Sequence, residues 1–202
     1  MAKSIERMHW PALVAAVIGS VQVVLGFSLA QALWPEFNSM KSTISDLAAD
    51  DSPVQVLMSS FFYFGATLSL VVAFWARTFS VPGRITIALA GLATYGLAFF
   101  TTPSQDSHSD AHRIFAVISF VLSSAWPLFA MRFDKRYPWI VRPAGAILGT
   151  LAMTIASLVF LASWTDSMAT MTGFWERVIA VGQTWYLAAV IWICWFSQRK
   201  AL

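Results

Sequence analysis

The sequence predicts an all-α integral membrane protein: one domain over residues 1–202, folded as a six-transmembrane-helix bundle with both termini cytoplasmic. Three observations predict it. First, 58% of the residues are hydrophobic and 11% charged, against about 45–50% and 25% in a soluble domain. Second, six apolar stretches lie at about 11–33, 54–76, 85–101, 113–131, 141–163 and 177–196, and a spanning helix needs ~20 such residues. Third, the charges sort by connection. Ten of the thirteen Lys and Arg residues fall in the amino-terminal segment, the 77–84 and 132–142 connections and the carboxyl end, whereas Lys41, Arg113 and Arg177 share the other side with eight of the ten acids. The positive-inside rule puts the first set in the cytoplasm. The net charge of +3 is thereby a matter of topology, and a nucleic-acid partner loses its support.

The stretches are read as helices because backbone groups in hydrocarbon must bond within their own segment, and the alternation of barrel strands is missing. Six spans leave no room for a sizeable extramembrane domain. The single cysteine, Cys194, sits in an apolar run, so there is no disulfide scaffold.

Span one follows Lys3 and Arg7 and ends near Ala30-Gln31-Ala32, which looks like a signal cleavage site. Its apolar run exceeds the ~7–15 residues of a signal core, so it is expected to be retained. The connection after it contains Asn38 to Leu47, with Met40, Ile44 and Leu47 at helical spacing, which predicts a short helix lying on the membrane. Ser45 and Asp46 are then held near the spans. Ser52-Pro53-Val54-Gln55 reads as a capping box with proline at the first helical position, opening span two.

Trp75 ends span two, and span three is the shortest. The next connection carries Asp106, His108 and His112. With a helix starting near Ser107, the two histidines are four apart on one face and, with the Asp106 carboxylate, form a candidate zinc set. The bland reading is that Asp106 or Ser107 caps span four, Asp110 complements its dipole and the histidines are wetted. His9 lies at the opposite edge, which argues against haem held between two spans.

Span five is bracketed by Trp139 and Trp164 and carries Gly145, Gly149, Ala152 and Ala156 on one face, suited to close helix contact within the chain or with another membrane subunit. Glu176-Arg177 opens span six. Glu176 suits a helix amino terminus, but Arg177 opposes the dipole, as Arg113 does at span four, so each is expected to take a carboxylate or lipid phosphate. Trp10, Trp34, Trp75, Trp139, Trp164 and Trp175 read as an interfacial belt. Trp126, Trp185 and Trp192 lie deeper, where packing, lipid contact or a pigment, quinone or lipid site are the alternatives.

Within the spans the deep polar residues are Gln22, Gln183 and some hydroxyls. Ion pumps, proton relays and voltage sensors carry ionisable groups there, so a transporter or channel is disfavoured. The residues left to explain form a cluster at the outer mouth: Ser45, Asp46, Asp106, His112, Glu176 and Arg177. They are candidates for chemistry or for a structural clamp on the helix ends.

The order Ile44-Ser45-Asp46-Leu47, Ser52-Pro53, Asp106, His112 and Glu176-Arg177 resembles the domain-of-unknown-function 998 family of bacterial six-span membrane proteins. Two departures are Ala48-Ala49, where a glycine is more usual, and the segment Gly173-Phe174-Trp175-Glu176-Arg177 in place of a Gly-x-x-Gln-Arg-like one. The resemblance implies a multi-pass protein of the bacterial cytoplasmic (inner) membrane, N-in and C-in, and brings no activity with it.

Three functions are consistent with this reading. The outer site binds a lipid headgroup or small polar ligand, with membrane lipids as partners. Alternatively, the chain is an accessory subunit of a larger complex, docking through its Trp-rich spans and the Gly145/Gly149 face. In the third, it is a lipid-directed hydrolase, metal-dependent in one form, with His112 or Asp106 as base, Ser45 as nucleophile or ligand and Arg177 as anion clamp.

Overall fold

The computed structural model describes residues 5–105, 107, 109–166 and 168–199. Six helices, α1 (Trp10–Ala32), α2 (Gln55–Trp75), α3 (Val81–Phe99), α4 (Asp110–Phe129), α5 (Pro143–Thr165) and α6 (Thr172–Arg199), are long and apolar enough to cross a membrane, and the described residues form no strand. Each packs on its neighbours in sequence, and α1 packs on α6, which closes a ring. The connections 33–54, 100–109 and 166–171 share one end, the acidic face. The segment before α1 joins the connections 76–80 and 130–142 at the other, the basic face.

The two faces start their helices differently. From the basic face, α1, α3 and α5 each have proline in the first turn, where its missing N–H is no loss. From the acidic face, α4 is capped by Ser109, whose Oγ accepts the His112 N–H at 3.3 Å. Asp106 lies outside the described residues. The α2 start at Gln55 is prepared by Ser52, whose Oγ donates to the Leu47 carbonyl at 2.8 Å and accepts the Val54 N–H at 3.2 Å. This replaces the expected capping box with a turn, because the helix begins two residues beyond Pro53.

Three helices begin earlier than the apolar windows suggest, because charged residues belong to their first two turns. The Arg84 guanidinium donates 2.7 Å bonds to the Ala73 and Phe74 carbonyls at the end of α2, so α3 extends back to Val81. Glu176 and Arg177 lie in the second turn of α6 rather than at its opening. α4 starts at Asp110, three residues before Arg113 and later than the start near Ser107 that the candidate zinc set requires. His108 itself lies outside the described residues.

Both ends are sealed by apolar residues from the connections. Phe79 packs with Trp126 at the basic end, and Leu47 and Ile44 pack against Phe27, Val54 and Met58 at the acidic end. Phe79 and Leu47 are both 0% exposed. Sealing such side chains at a water-facing end is worth about 1.5–3 kcal/mol each, a gain that helix packing within lipid lacks. Val56, Ile155 and Val21 face outward at 75%, 62% and 60% exposure, as lipid contacts should.

The basic face is closed by a saturated polar lock. The Gln198 carbonyl oxygen accepts the Met8 N–H at 2.8 Å, and its amide donates to the Glu6 carbonyl at 3.3 Å and to Thr78 Oγ1 at 3.1 Å. Arg132 donates to the carbonyls of Arg77, Thr78 and Phe79 at 3.0, 2.8 and 2.9 Å and pairs with the Glu6 carboxylate.

Candidate functional site

At the acidic face the 33–54 connection lies across the start of α6. Gly173 and Phe174 donate their N–H groups to the Lys41 and Met40 carbonyls, both at 3.1 Å, so orphan donors of the helix terminus are satisfied by the loop. This approach requires glycine: a Cβ at Gly173 would stand 2.0 Å from the Ser42 carbonyl oxygen and 2.7 Å from that of Ser39. One turn on, the buried Glu176 carboxylate accepts the Ile44 N–H on one oxygen and Ser45 Oγ at 3.5 Å on the other.

The loop also holds itself. Asp46 accepts the Thr43 N–H at 2.7 Å while Thr43 Oγ1 accepts the Asp46 N–H at 3.1 Å, a reciprocal pair that fixes the 3-10 turn Ser45–Ala48. That turn replaces the expected surface helix. Ile44 and Leu47 are buried between helices and only Met40 is exposed, because the segment is tucked into the bundle. Asp50 ties it to the next connection, its N–H donating to the Thr102 carbonyl at 2.9 Å and its carboxylate accepting Thr101 Oγ1 at 2.5 Å.

The structure brings Ser45, Asp46, His112, Glu176 and Arg177 to one mouth. Burial pushes the Asp46 carboxyl up from its ordinary value, outweighing the Thr43 bonds and the nearby His112 and Arg177, which act downward. Among the described residues Arg177 makes no ion pair with a carboxylate. It donates to the Ser42 and Gly173 carbonyls at 3.0 and 2.7 Å, and its guanidinium lies 5.5 and 5.7 Å from the Phe27 and Phe37 ring centres. Its Nε has no partner. The Arg113 guanidinium lies over the Trp164 ring, 5.4 Å from its centre.

His112, 3% exposed, points into the bundle rather than to water. Its Nδ1 lies 2.9 and 3.0 Å from the Leu97 and Phe100 carbonyl oxygens, so Nδ1 must carry the hydrogen. Nε2 is left as a buried group without a partner. Among the described residues His112 makes no hydrogen bond to Ser45, whose hydroxyl is turned to Glu176. No group of three His, Cys, Asp or Glu side chains suited to a metal occurs among the described residues.

Beneath the mouth runs a cavity of about 190 Å³. Ile44, Ser45 and Glu176 line its acidic end, Gln22 and Gln183 its middle, and Trp126 its basic end. All the helices except α5 contribute to its wall. Sequence reasoning noticed Gln22, Gln183 and Trp126 as deep residues but had no means of placing them round one space. It missed Gly173, whose signal was its place three residues before Glu176. The deep Trp185 and Trp192 face outward instead, at 56% and 51% exposure. Of the small-residue face on α5, Gly149 is covered by the Tyr186 ring and Gly145 by the Trp139–Val141 turn.

A family model described as "Protein of unknown function (DUF998)" matches residues 17–193, from the second turn of α1 almost to the end of α6. No curated protein and no solved structure matches.

Proposed function

This chain belongs to the DUF998 family of proteins of unknown function, and we propose that it is a membrane-integral binding protein for a lipid or lipid-like amphiphile. The basic face is cytoplasmic, the acidic face is outside, and the ligand lies with its chain in the cavity beneath the acidic end. The observation that carries this reading is the cavity itself, capped at its acidic end by a buried carboxylate and a serine hydroxyl. An apolar space with a few convergent polar groups is what binding sites are made of.

Hydrolysis is the weaker reading, because Ser45 and His112 share no hydrogen bond and Arg177 is spent on carbonyls. Subunit docking through Gly145 and Gly149 has less surface to use, since Tyr186 and the Trp139–Val141 turn already cover them.

The test is mass spectrometry of the protein purified in mild detergent, beside Gly19→Phe. Gly19 lines the cavity, and the nearest atom to a Cβ there is Leu68 Cδ1 at 3.9 Å, so a larger side chain can enter the space without meeting backbone. The wild type is expected to carry an amphiphile that Gly19→Phe loses at unchanged helix content. Gly182→Phe, where a Cβ meets nothing within 4 Å, is the control that keeps it. Equal retention by all three, or none by any, overturns the proposal.

A further inference from the structure

The shape and polarity of the cavity specify what kind of amphiphile fits, an inference that rests on the binding reading above. Its wall on α2 runs from Met58 to Val72, about 21 Å at 1.5 Å per residue. An engineered cavity of about 150 Å³ in another protein holds one benzene. By that measure about 190 Å³ is room for one short hydrocarbon chain of about eight carbons, and not for two.

Several polar groups in the middle of the bore bond within the bundle, and among the described residues a single buried polar atom of the lining is left without a partner. The Gln183 amide donates to the Phe120 carbonyl and to Ser124 Oγ, both at 3.0 Å. Thr94 Oγ1 and Ser119 Oγ pair at 2.9 Å, Thr94 bonds back to the Ala90 carbonyl, and Ser69 bonds to that of Gly65. The unpartnered atom is Gln22 Oε1. It stands near the centre of α1, about 15 Å below that helix's acidic end. An amide oxygen left bare at this depth costs roughly 1–3 kcal/mol, and what it lacks is a donor. Beyond it the bore is lined by Ala15, Ala16, Val72, Ile87 and Trp126, with no ionisable side chain. A charged group there would go unpaired in hydrocarbon.

We infer that the ligand is a neutral single-chain amphiphile, an alcohol or an amide, that donates its O–H or N–H to Gln22 Oε1 and lays its chain toward the basic end. The acidic end, with Ser45 and Glu176, then closes the bore rather than seating the polar group.

The experiment uses full-length protein in lipid nanodiscs equilibrated with labelled octan-1-ol, whose chain matches the roughly 10 Å from Gln22 to Ala15 on α1, or with its methyl ether, which has no hydrogen to donate. Wild-type protein is expected to retain the alcohol about tenfold over the ether. Gln22→Met, of similar length but without the amide, is expected to lose that preference, and Gly19→Phe to lose both compounds. Equal retention of alcohol and ether by the wild type, or a preference that survives in Gln22→Met, overturns the donor inference. Loss of both compounds in Gly19→Phe leaves the binding reading intact in that event. Retention that Gly19→Phe does not change, or no retention by the wild type, overturns the binding reading and this inference with it.

Discussion

The basic and acidic ends of the bundle are both tied by polar clusters reaching in from the connections, but only the basic one is finished. Around Gln198, the amide, the Met8 N–H, Thr78 and the Arg132 guanidinium all have partners. Around Glu176, Arg177 Nε, His112 Nε2 and Thr102 Oγ1 have none, and Gln22 Oε1 is bare in the cavity below. Toward the basic end the exceptions are Arg142 Nε and the hydroxyl of Tyr186, whose ring packs on Trp126. Buried polar groups in a folded protein are as a rule hydrogen-bonded, so a concentration of bare ones beside a cavity marks where something else completes the structure. The saturated end is architecture. The unsaturated end is where function is to be sought.

Substitutions can break that comparison, the strongest first. Gly173→Val drives a side chain into the Ser42 carbonyl, and because the obstacle is backbone the loop must lift. A loss of about 3 kcal/mol is expected, with loss of bound amphiphile. An unchanged melting temperature would show that the loop is not seated on α6. Gln198→Leu strips partners from the Met8 N–H and Thr78 at the finished end. It should cost about 2 kcal/mol and leave the bound mass unaltered. A fall in that mass would erase the distinction between the ends.

Arg177→Ala leaves the Ser42 carbonyl without its guanidinium donor and should cost about 1–2 kcal/mol, whereas exposed Lys41→Ala should stay within about 0.5 kcal/mol. Equal, negligible effects in thermal unfolding would dissolve the acidic cluster as a unit.

The smallest effect is on pH, and it has opposite signs at the two ends. Burial raises the Asp46 carboxyl above 3.8, so its contribution to stability is whole below pH 3.8 and is lost as pH rises through the folded value. Arg136, hydrogen-bonded to Asp134, lowers that carboxyl below 3.8, so its contribution is whole above pH 3.8 and is lost as pH falls through the folded value. Asp46→Asn should therefore flatten the decline in stability above pH 3.8, while Asp134→Asn should not. Unfolding curves collected over that range decide it.

The bundle was legible in the sequence because its cause is local: each span carries its own apolar run, and composition alone requires it. Helix starts were less legible where a charge belongs to the first turns, as with Arg84 bound to the α2 carbonyls and Glu176 bound to the Ile44 N–H, since both partners are distant in sequence. The site was half legible. Ser45, Asp46, His112, Glu176 and Arg177 could be grouped by side, but the partners of Arg177 could not be foreseen, because backbone carbonyls leave no mark on a sequence. The zinc reading depended on a helix start near Ser107, whereas Ser109 caps one that begins at Asp110; Asp106 and His108, its other members, lie outside the described residues. Gln22 showed its depth but not its isolation, which arises only when five helices surround it.

The most direct test of the claim that a ligand completes the acidic half is the melting temperature of delipidated wild type and Gly19→Phe, before and after a membrane lipid extract is restored. Ligand that binds only the folded chain should raise the wild-type value by roughly 5 °C and the variant's far less. An equal rise in both, or none in either, would contradict it.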